Sequence, residues 1–222
     1  PKKEGTATLK VTVDGKTVSA SFTINKEASN VVLRLGTPDK TKVERDSSGA
    51  IKVSIGYQNA WMETPKVEIT GSDEDAEFTL SALTEIADND AAKQDLTITE
   101  KGAADAGVYT VTITVGDKSD SFTFEVTKKA QLGNLAAVSA GSDVTSLILQ
   151  GITKMDEITK DAITVTKVAK AGGESKIAVS NFATGTITID STDFAAGDVI
   201  KVTIADTANY TYTVTDTTVS VI

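Results

Sequence analysis

Apolar and polar residues alternate along most of the chain with a period of two. In residues 5–24 the alternation begins near Leu9 and returns through Phe22, with Asp14-Gly15 between the two runs. Because a strand directs successive side chains to opposite faces, this pattern predicts strands with one buried and one exposed face. Asp-Gly between two alternating runs is a strong signal for a tight β-hairpin turn.

The same hairpin pattern recurs along the chain. Residues 5–16 match residues 107–118, and residues 21–23 then match residues 121–123. A third and weaker copy covers residues 197–214. The copies are therefore about 90 to 100 residues apart, which is the size of one β-sandwich module.

Further alternating runs between turn signals predict an all-β fold of tandem β-sandwich domains. Two segments with helical spacing, 82–93 and 155–160, are predicted as short helical connections. The strands predicted for the two modules are 31–35, 51–57, 65–70, 76–80, 96–99, 108–115, 121–127, 146–149, 163–168, 176–179, 186–189, 199–204 and 210–214.

The spacing of the repeat divides the chain into three parts. Residues 29–128 and 132–222 each have the length of one sandwich, and residues 128–134 are predicted to be a polar linker. Residues 1–28 match only the last hairpin of a module. They are either the tail of a truncated preceding repeat or strands added to the next module. Since an isolated hairpin is marginally stable in water, we expect residues 1–28 to pack against the middle module.

One motif indicates the type of sandwich, the alternative being that it is only a glycine turn before a β-hairpin. Asp105, Gly107 and Tyr109 precede and begin the predicted strand 108–115. This Asp-x-Gly-x-Tyr pattern resembles the tyrosine corner of immunoglobulin-like sandwiches, in which the tyrosine hydroxyl bonds back to the backbone. With no cysteine in the chain, the resemblance is to the cysteine-free immunoglobulin-like modules of bacterial proteins.

The composition excludes several functions. Thr, Val and Ile, which favour strands, make up about a third of the chain. Without Cys or His, a disulfide framework, a thiolate metal site and a His-based catalytic site are excluded. No catalytic elbow or phosphate loop is present either, so we predict that the protein is not an enzyme.

The charge and hydropathy limit the partners. The net charge of −9 argues against nucleic acid and anionic lipid, and the apolar runs are too short to insert into a membrane. A cation such as Ca²⁺ remains compatible with this charge. Pro1 stands where an initiating Met would be, which suggests a piece of a longer protein.

Two predicted loops concentrate acidic residues. One carries Asp73 and Asp75, and the other carries Asp88 and Asp90. Ca²⁺ binds about six to eight hard oxygen ligands, so these four aspartates are the predicted calcium ligands. Their spacing does not match an EF-hand, and the alternative is that both loops are solvated and keep the protein soluble.

Other side chains suggest contacts at the surface. Tyr57 and Trp61 lie close together in sequence and could stack on a sugar ring, although the alternative is that Trp61 fills the core. Lys10, Lys52 and Lys201 occupy the polar phase of predicted strands, where a charge can protect an edge strand from unwanted pairing.

Taken together, the cysteine-free, threonine-rich, acidic chain with repeated hairpins resembles bacterial cell-surface proteins. The resemblance is greatest to the assembly region of surface-layer (S-layer) proteins, which consist of immunoglobulin-like modules in series. It implies an extracellular structural protein of the cell wall that self-assembles into a lattice, with Ca²⁺ fixing the orientation of modules. Two alternatives stay open: an adhesin or phage-surface decoration module that binds a glycan or host protein, and a spacer without a ligand.

Overall fold

The structure is a computed structural model that describes residues 5–24, 32–58, 64–84, 92–102 and 104–221. The chain divides into two compact units, Pro1–Thr127 and Lys128–Ile222. Each is built almost entirely of β-strands, as the alternating sequence predicts. Within the described ranges, no helix is long and apolar enough to cross a membrane.

The first unit contains a hairpin followed by eight further strands. Its strands are β1 (Gly5–Val13), β2 (Lys16–Ile24), β3 (Val32–Leu35), β4 (Lys42–Glu44), β5 (Ala50–Gln58), β6 (Lys66–Gly71), β7 (Phe78–Leu80), β8 (Ala92–Glu100), β9 (Gly107–Val115) and β10 (Lys118–Thr127).

Strands β3 to β10 form a sandwich of two four-stranded sheets. The sheet orders are β3-β5-β8-β7 and β4-β10-β9-β6. Strand β4 pairs parallel with β10, and the other pairs are antiparallel. The order β3-β5-β8-β7 corresponds to the A-B-E-D sheet of the immunoglobulin fold. In the other sheet β10-β9-β6 corresponds to G-F-C, with β9 and β10 as the F–G hairpin, and β4 is an additional strand beside β10.

Alternate residues of the two sheets meet in one core. Ile51, Val53 and Ile55 of β5 are buried and belong to the same cluster as Val111 and Ile113 of β9. Burial of a side chain of this size contributes about 1.5–3 kcal/mol. The period-two pattern therefore places the apolar set between the sheets.

The second unit is a separate sandwich with its own core. Its two sheets have the orders β15-β16-β12-β11-β18 and β14-β13-β17-β19. These strands are β11 (Lys129–Leu135), β12 (Gly141–Gln150), β13 (Ile163–Val168), β14 (Glu174–Ile177), β15 (Val179–Ala183), β16 (Thr186–Phe194), β17 (Val199–Ile204), β18 (Tyr210–Thr215) and β19 (Thr217–Thr218).

The predicted linker at 128–134 is wrong, because most of it is strand β11. This strand pairs parallel with β18 and antiparallel with β12. Its inward positions carry Gln131 and Gly133, while Leu132 is 69% exposed. The buried Gln131 Oε1 accepts hydrogen bonds from the backbone N–H and the hydroxyl of Thr153. A strand normally directs apolar side chains inward and polar ones outward, whereas here Gln131 points inward and Leu132 outward. The sequence of this strand therefore resembles a polar linker.

Three other predictions are refined. The strands of the third repeat exist, but β17 pairs with β13 and β19 whereas β18 pairs with β11, so they lie in different sheets. The helical connection at 155–160 is present as two short 3₁₀ turns, Met155–Glu157 and Lys160–Ala162. The predicted helix 82–93 is wrong at its end, where Ala92 and Lys93 belong to β8; residues 85–91 lie outside the described ranges.

Candidate functional site

The hairpin β1–β2 has two chemically opposite faces. Directly opposed residues of an antiparallel pair lie on the same face. One face carries the apolar pairs Leu9–Ala20 and Val11–Val18. The other face carries hydroxyl pairs: the side-chain oxygens of Thr8 and Ser21 are 3.1 Å apart, and those of Thr12 and Thr17 are 2.7 Å apart.

The apolar face of this hairpin is exposed. Among the described residues, β1 and β2 form a two-stranded sheet and pair only with each other. The expectation that this hairpin packs against the middle module is therefore wrong. A contiguous apolar surface of this kind marks a site of interaction. Its large side chains and their exposed fractions are Leu9 59%, Val11 51%, Val13 65%, Val18 72% and Phe22 53%.

The pairing register makes this hairpin equivalent to β9–β10. Gly5 pairs with Ile24 just as Gly107 pairs with Val126, and both hairpins turn over two residues. Phe22 therefore corresponds to Phe124, not to Phe122 as the sequence match indicates. The Ser-Phe-Thr letters at 21–23 and 121–123 therefore match two residues away from the structural alignment. A shift of two residues keeps each side chain on the same face of the strand, so the sequence match does not show the shift.

The tyrosine corner predicted at 105–109 is present. The Tyr109 hydroxyl donates a 2.8 Å hydrogen bond to the carbonyl oxygen of Asp105. The Arg45 Nη1 group donates to the carbonyl oxygen of Ala104 at 2.6 Å and to Asp105 Oδ1 at 2.9 Å. These contacts tie the loop before β9 to the residue that follows β4.

The tyrosine ring is enclosed by aromatic and backbone neighbours. Phe78 packs edge-on to Tyr109 at 5.1 Å between ring centroids, and Phe124 stacks on it at 5.6 Å. A Cβ atom at Gly71 would come within 2.6 Å of Tyr109 Cδ1, so only glycine allows this approach. Burial, with smaller contributions from the Asp73 and Asp105 carboxylates, raises the pKa of Tyr109 to about 12, although Arg45 opposes the rise.

The predicted calcium ligands are only partly within the structure. Asp73 Oδ1 accepts the backbone N–H of Asp75 at 2.9 Å, and Asp73 Oδ2 accepts that of Asp105 at 3.4 Å. Asp73 therefore stabilises its own loop and the tyrosine corner. Asp88 and Asp90 lie outside the described residues. In the described part of the chain, no three acidic side chains are grouped so that they could hold a metal ion.

Tyr57 does not form a sugar-stacking surface. It is 2% exposed, within the core of the first unit. Gln94 Nε2 donates to the Tyr57 hydroxyl at 2.5 Å, and burial raises the pKa of this tyrosine despite that bond. Trp61 lies outside the described residues. Tyr57 is therefore too buried to stack on a sugar ring, and the predicted pair of Tyr57 and Trp61 does not form a sugar-binding surface.

Asp198 in the second unit anchors a site that the sequence did not indicate. Its carboxylate is 3% exposed and accepts the backbone N–H groups of Lys170 at 3.0 Å and Ala195 at 2.9 Å. Lys167 Nζ lies 3.2 Å from Asp198 Oδ2 and 5.5 Å from the centroid of the Phe194 ring. The two backbone bonds, then Lys167, lower the pKa of Asp198. Asp198 therefore connects the turn that contains Lys170 to the turn that contains Ala195. In the sequence, nothing marks this site except an Asp that follows a Gly.

The three lysines do not act together as edge protection. Lys52 lies on β5, which is paired on both sides by β3 and β8, so the prediction is wrong for this residue. Lys201 lies on β17, between β13 and β19, and its Nζ is 3.3 Å from Glu174 Oε1. Lys10 lies on the two-stranded hairpin, on the hydroxyl face.

No protein family and no curated protein matches the chain. Among solved structures, titin domains A168–A170 are 13% identical with a TM-score of 0.31, covering 98% of this chain and 75% of that chain. The BSP domain of a biofilm-associated protein is 14% identical with a TM-score of 0.27, covering 84% of this chain and 30% of that chain. A chimeric titin Z1Z2 tandem is 12% identical with a TM-score of 0.22, covering 78% of this chain and 94% of that chain. The immunoglobulin-like character of the first unit follows from its own sheet topology, and the second unit is a sandwich of two sheets with its own core.

Proposed function

We propose that the protein is a structural, non-catalytic component of an extracellular bacterial surface layer, whose immunoglobulin-like modules are arranged in series and self-associate. One observation carries this proposal: the two sandwiches follow each other with almost no linker. Strand β10 ends at Thr127 and β11 begins at Lys129, leaving Lys128 alone between them. The two sandwiches are therefore consecutive modules of one chain, which is the organisation that a protein built of modules in series requires.

The charge of the chain bears on how it would assemble. The chain has no Cys and no His and carries a net charge of −9. Charge far from zero keeps isolated chains soluble. A divalent cation would lower the repulsion between neighbouring copies, so Ca²⁺ is the proposed trigger of assembly. The aspartates proposed to contribute are Asp73, Asp75, Asp88 and Asp90.

Electron microscopy and light scattering of the purified chain test this proposal. We expect Ca²⁺ to produce extended sheets whose formation depends on protein concentration, and EDTA to reverse it. Asp73→Asn/Asp75→Asn should raise the Ca²⁺ concentration that is needed. Asp117→Asn/Asp120→Asn is the matched control, because it removes the same charge from exposed positions in the β9–β10 turn and at the start of β10. A chain that stays monomeric at every Ca²⁺ and protein concentration would contradict the proposal.

A second candidate function has its own support. The exposed apolar face of β1–β2 is suited to binding another protein, as an adhesin or a decoration module does. In that case the chain would stay monomeric with Ca²⁺ and bind a host protein saturably on a protein array. Loss of that binding in Phe22→Thr would assign it to the hairpin. A spacer without a ligand would show neither sheets nor saturable binding.

A further inference from the structure

Two equivalent hairpins of this chain have opposite solvent exposure. Hairpin β9–β10 presents its apolar face to the core, and hairpin β1–β2 presents the matching face to solvent. Both have the same register and a two-residue turn. The exposed fractions at equivalent positions are 59% for Leu9 and 0% for Val111, 51% for Val11 and 0% for Ile113, 65% for Val13 and 0% for Val115, and 53% for Phe22 and 3% for Phe124.

Six strands account for this difference in the first unit. The sheet β3-β5-β8-β7 covers the apolar face of β9–β10, while β6 pairs along β9 and β4 pairs along β10. All six strands come before β9 in the chain. A hairpin of this type is therefore completed by strands that precede it.

A second copy of the chain is a poor partner for the exposed face. The sandwich β3–β10 already contains its own F–G hairpin, and β11–β19 already closes a core, so neither described sandwich offers a vacancy. Two β1–β2 faces could stack on each other. However, the flat footprint of two nine-residue strands is only about 300 Å² at about 3.3 Å per residue and 4.8 Å between strands, which is small for an interface between two chains. A stable interface buries about 800 Å² per partner.

We propose that residues 5–24 are the carboxyl-terminal hairpin of a third immunoglobulin-like module, and that strands upstream of Gly5 in a longer polypeptide complete it. These strands form a facing antiparallel sheet with an apolar inner surface, together with a strand that pairs along each edge of the hairpin. The inference deepens the modular part of the proposed function and does not depend on self-association.

The hairpin also specifies the chemistry of that facing sheet. Ala7 occupies the position of Tyr109, and Ala20 occupies that of Phe122. Both replacements leave space where the middle module has an aromatic ring. Because protein interiors are closely packed, the upstream sheet must fill the space opposite Ala7 that the ring of Tyr109 fills against Phe78 of β7 in the middle module, so it must carry larger inward side chains there. The upstream module also lacks a tyrosine corner at this position.

The first test uses the present chain of 222 residues. We expect the dye ANS to bind, and the amides of β1–β2 to exchange at least a hundredfold faster than those of β9–β10. Leu9→Thr/Phe22→Thr should remove most of the ANS signal without changing exchange in β5, β9 or β16. Thr8→Ala/Thr12→Ala on the opposite face is the matched control and should leave ANS binding unchanged.

The second test uses the chain extended at its amino terminus by about 80 residues of its natural upstream sequence. We expect ANS binding to disappear and exchange in β1–β2 to slow at least a hundredfold. Val11→Asp should reverse both effects in the extended chain while leaving β9–β10 protected. This local readout is separate from sheet formation, so failure of the surface-layer proposal would not affect it.

Two outcomes would overturn the inference. In one, the hairpin of the extended chain stays unprotected and binds ANS as before. In the other, protection of the present chain appears with rising protein concentration and without any extension, which would assign the apolar face to self-association. An upstream sequence that lacks six segments of alternating apolar and polar residues would also overturn the inference, because it could not supply the strands that complete the module.

Discussion

The Tyr109 hydroxyl donates a 2.8 Å hydrogen bond to the carbonyl oxygen of Asp105, four residues earlier in the chain. This bond closes the loop that leads into β9, and Arg45 holds the same loop from the side of β4. Tyr109 is 1% exposed, so its hydroxyl donates to the Asp105 carbonyl oxygen from a buried side chain. The corner therefore fixes where the central strand of its sheet begins.

Removing the corner hydroxyl should destabilise the first unit. We expect Tyr109→Phe to lower its unfolding free energy by about 1 kcal/mol, because the ring packing remains while the hydrogen bond from the tyrosine hydroxyl to the Asp105 carbonyl oxygen is lost. Amide exchange in β5 and β9 measures the effect. Exchange in β12 and β16 of the second unit is the internal control and should not change. An equal loss of unfolding free energy in both units would show that the tyrosine corner does not act on the first unit alone.

A tight backbone approach next to the corner gives a second prediction. A Cβ atom at Gly107 would lie 2.0 Å from Ser72 Oγ and 2.5 Å from Ser72 Cβ. We expect Gly107→Ala to destabilise the first unit by about 2 kcal/mol or more, since overpacking displaces the strand. Ser72→Gly removes both clashing atoms, although it also removes the acceptor of the Val108 N–H.

A double-mutant cycle distinguishes the clash from other effects. Gly107→Ala should cost at least 1 kcal/mol less in the Ser72→Gly background than in the original chain. Equilibrium unfolding in urea, followed by amide exchange in β9, gives the four free energies. Additive effects would mean that the strain lies in the backbone of residue 107 and not in its contact with Ser72.

The sequence predicts the parts of this fold that depend on alternation and local motifs. The tyrosine corner at 105–109 and the strand 163–168 are confirmed with their expected bounds. In both cases the local pattern and the tertiary contacts require the same residues. Consistency between these levels is what makes a segment predictable.

The sequence predictions that are wrong concern residues whose environment is set by contacts distant in the sequence. Strand β11 buries Gln131, which is satisfied by Thr153 from a distant loop, so only the tertiary structure makes this position polar and buried. The Asp198 site likewise joins turns far apart in sequence. The exposed apolar face of β1–β2 has the pattern of a buried one, because alternation predicts which face is apolar and does not predict what covers it.

Acidification should test Asp198. Its pKa is lowered in the folded state, first by the backbone N–H donors of Lys170 and Ala195 and then by Lys167. The carboxylate therefore stabilises the second unit above the pKa of an unfolded aspartate, about 3.9, and this contribution is lost as pH falls through the lower folded pKa. We expect Asp198→Asn to lower the Tm of the second unit at neutral pH and to weaken its dependence on acid. Asp190→Asn, at an exposed position, is the control and should behave like the original chain.

Alkaline titration tests the burial of the tyrosines. All four tyrosines are buried, and burial raises the pKa of Tyr57 and Tyr212 and raises that of Tyr109 to about 12. At pH 10 an unfolded tyrosine is about half ionised, whereas Tyr109 would be only about 1% ionised in the folded chain. Because the folded pKa is the higher one, stability is complete below pH 10 and is lost as pH rises towards 12.

We therefore expect the phenolate absorbance of the native chain to rise late and together with loss of amide protection in β9. In urea the same absorbance should rise around pH 10. Tyr109→Phe should remove part of the alkaline loss of stability from the first unit, after correction for its lower stability at neutral pH. Tyr212→Phe should alter the alkaline response of the second unit alone. Normal titration of all the tyrosines near pH 10, with β9 still protected, would mean that water reaches the Tyr109 hydroxyl in the folded state.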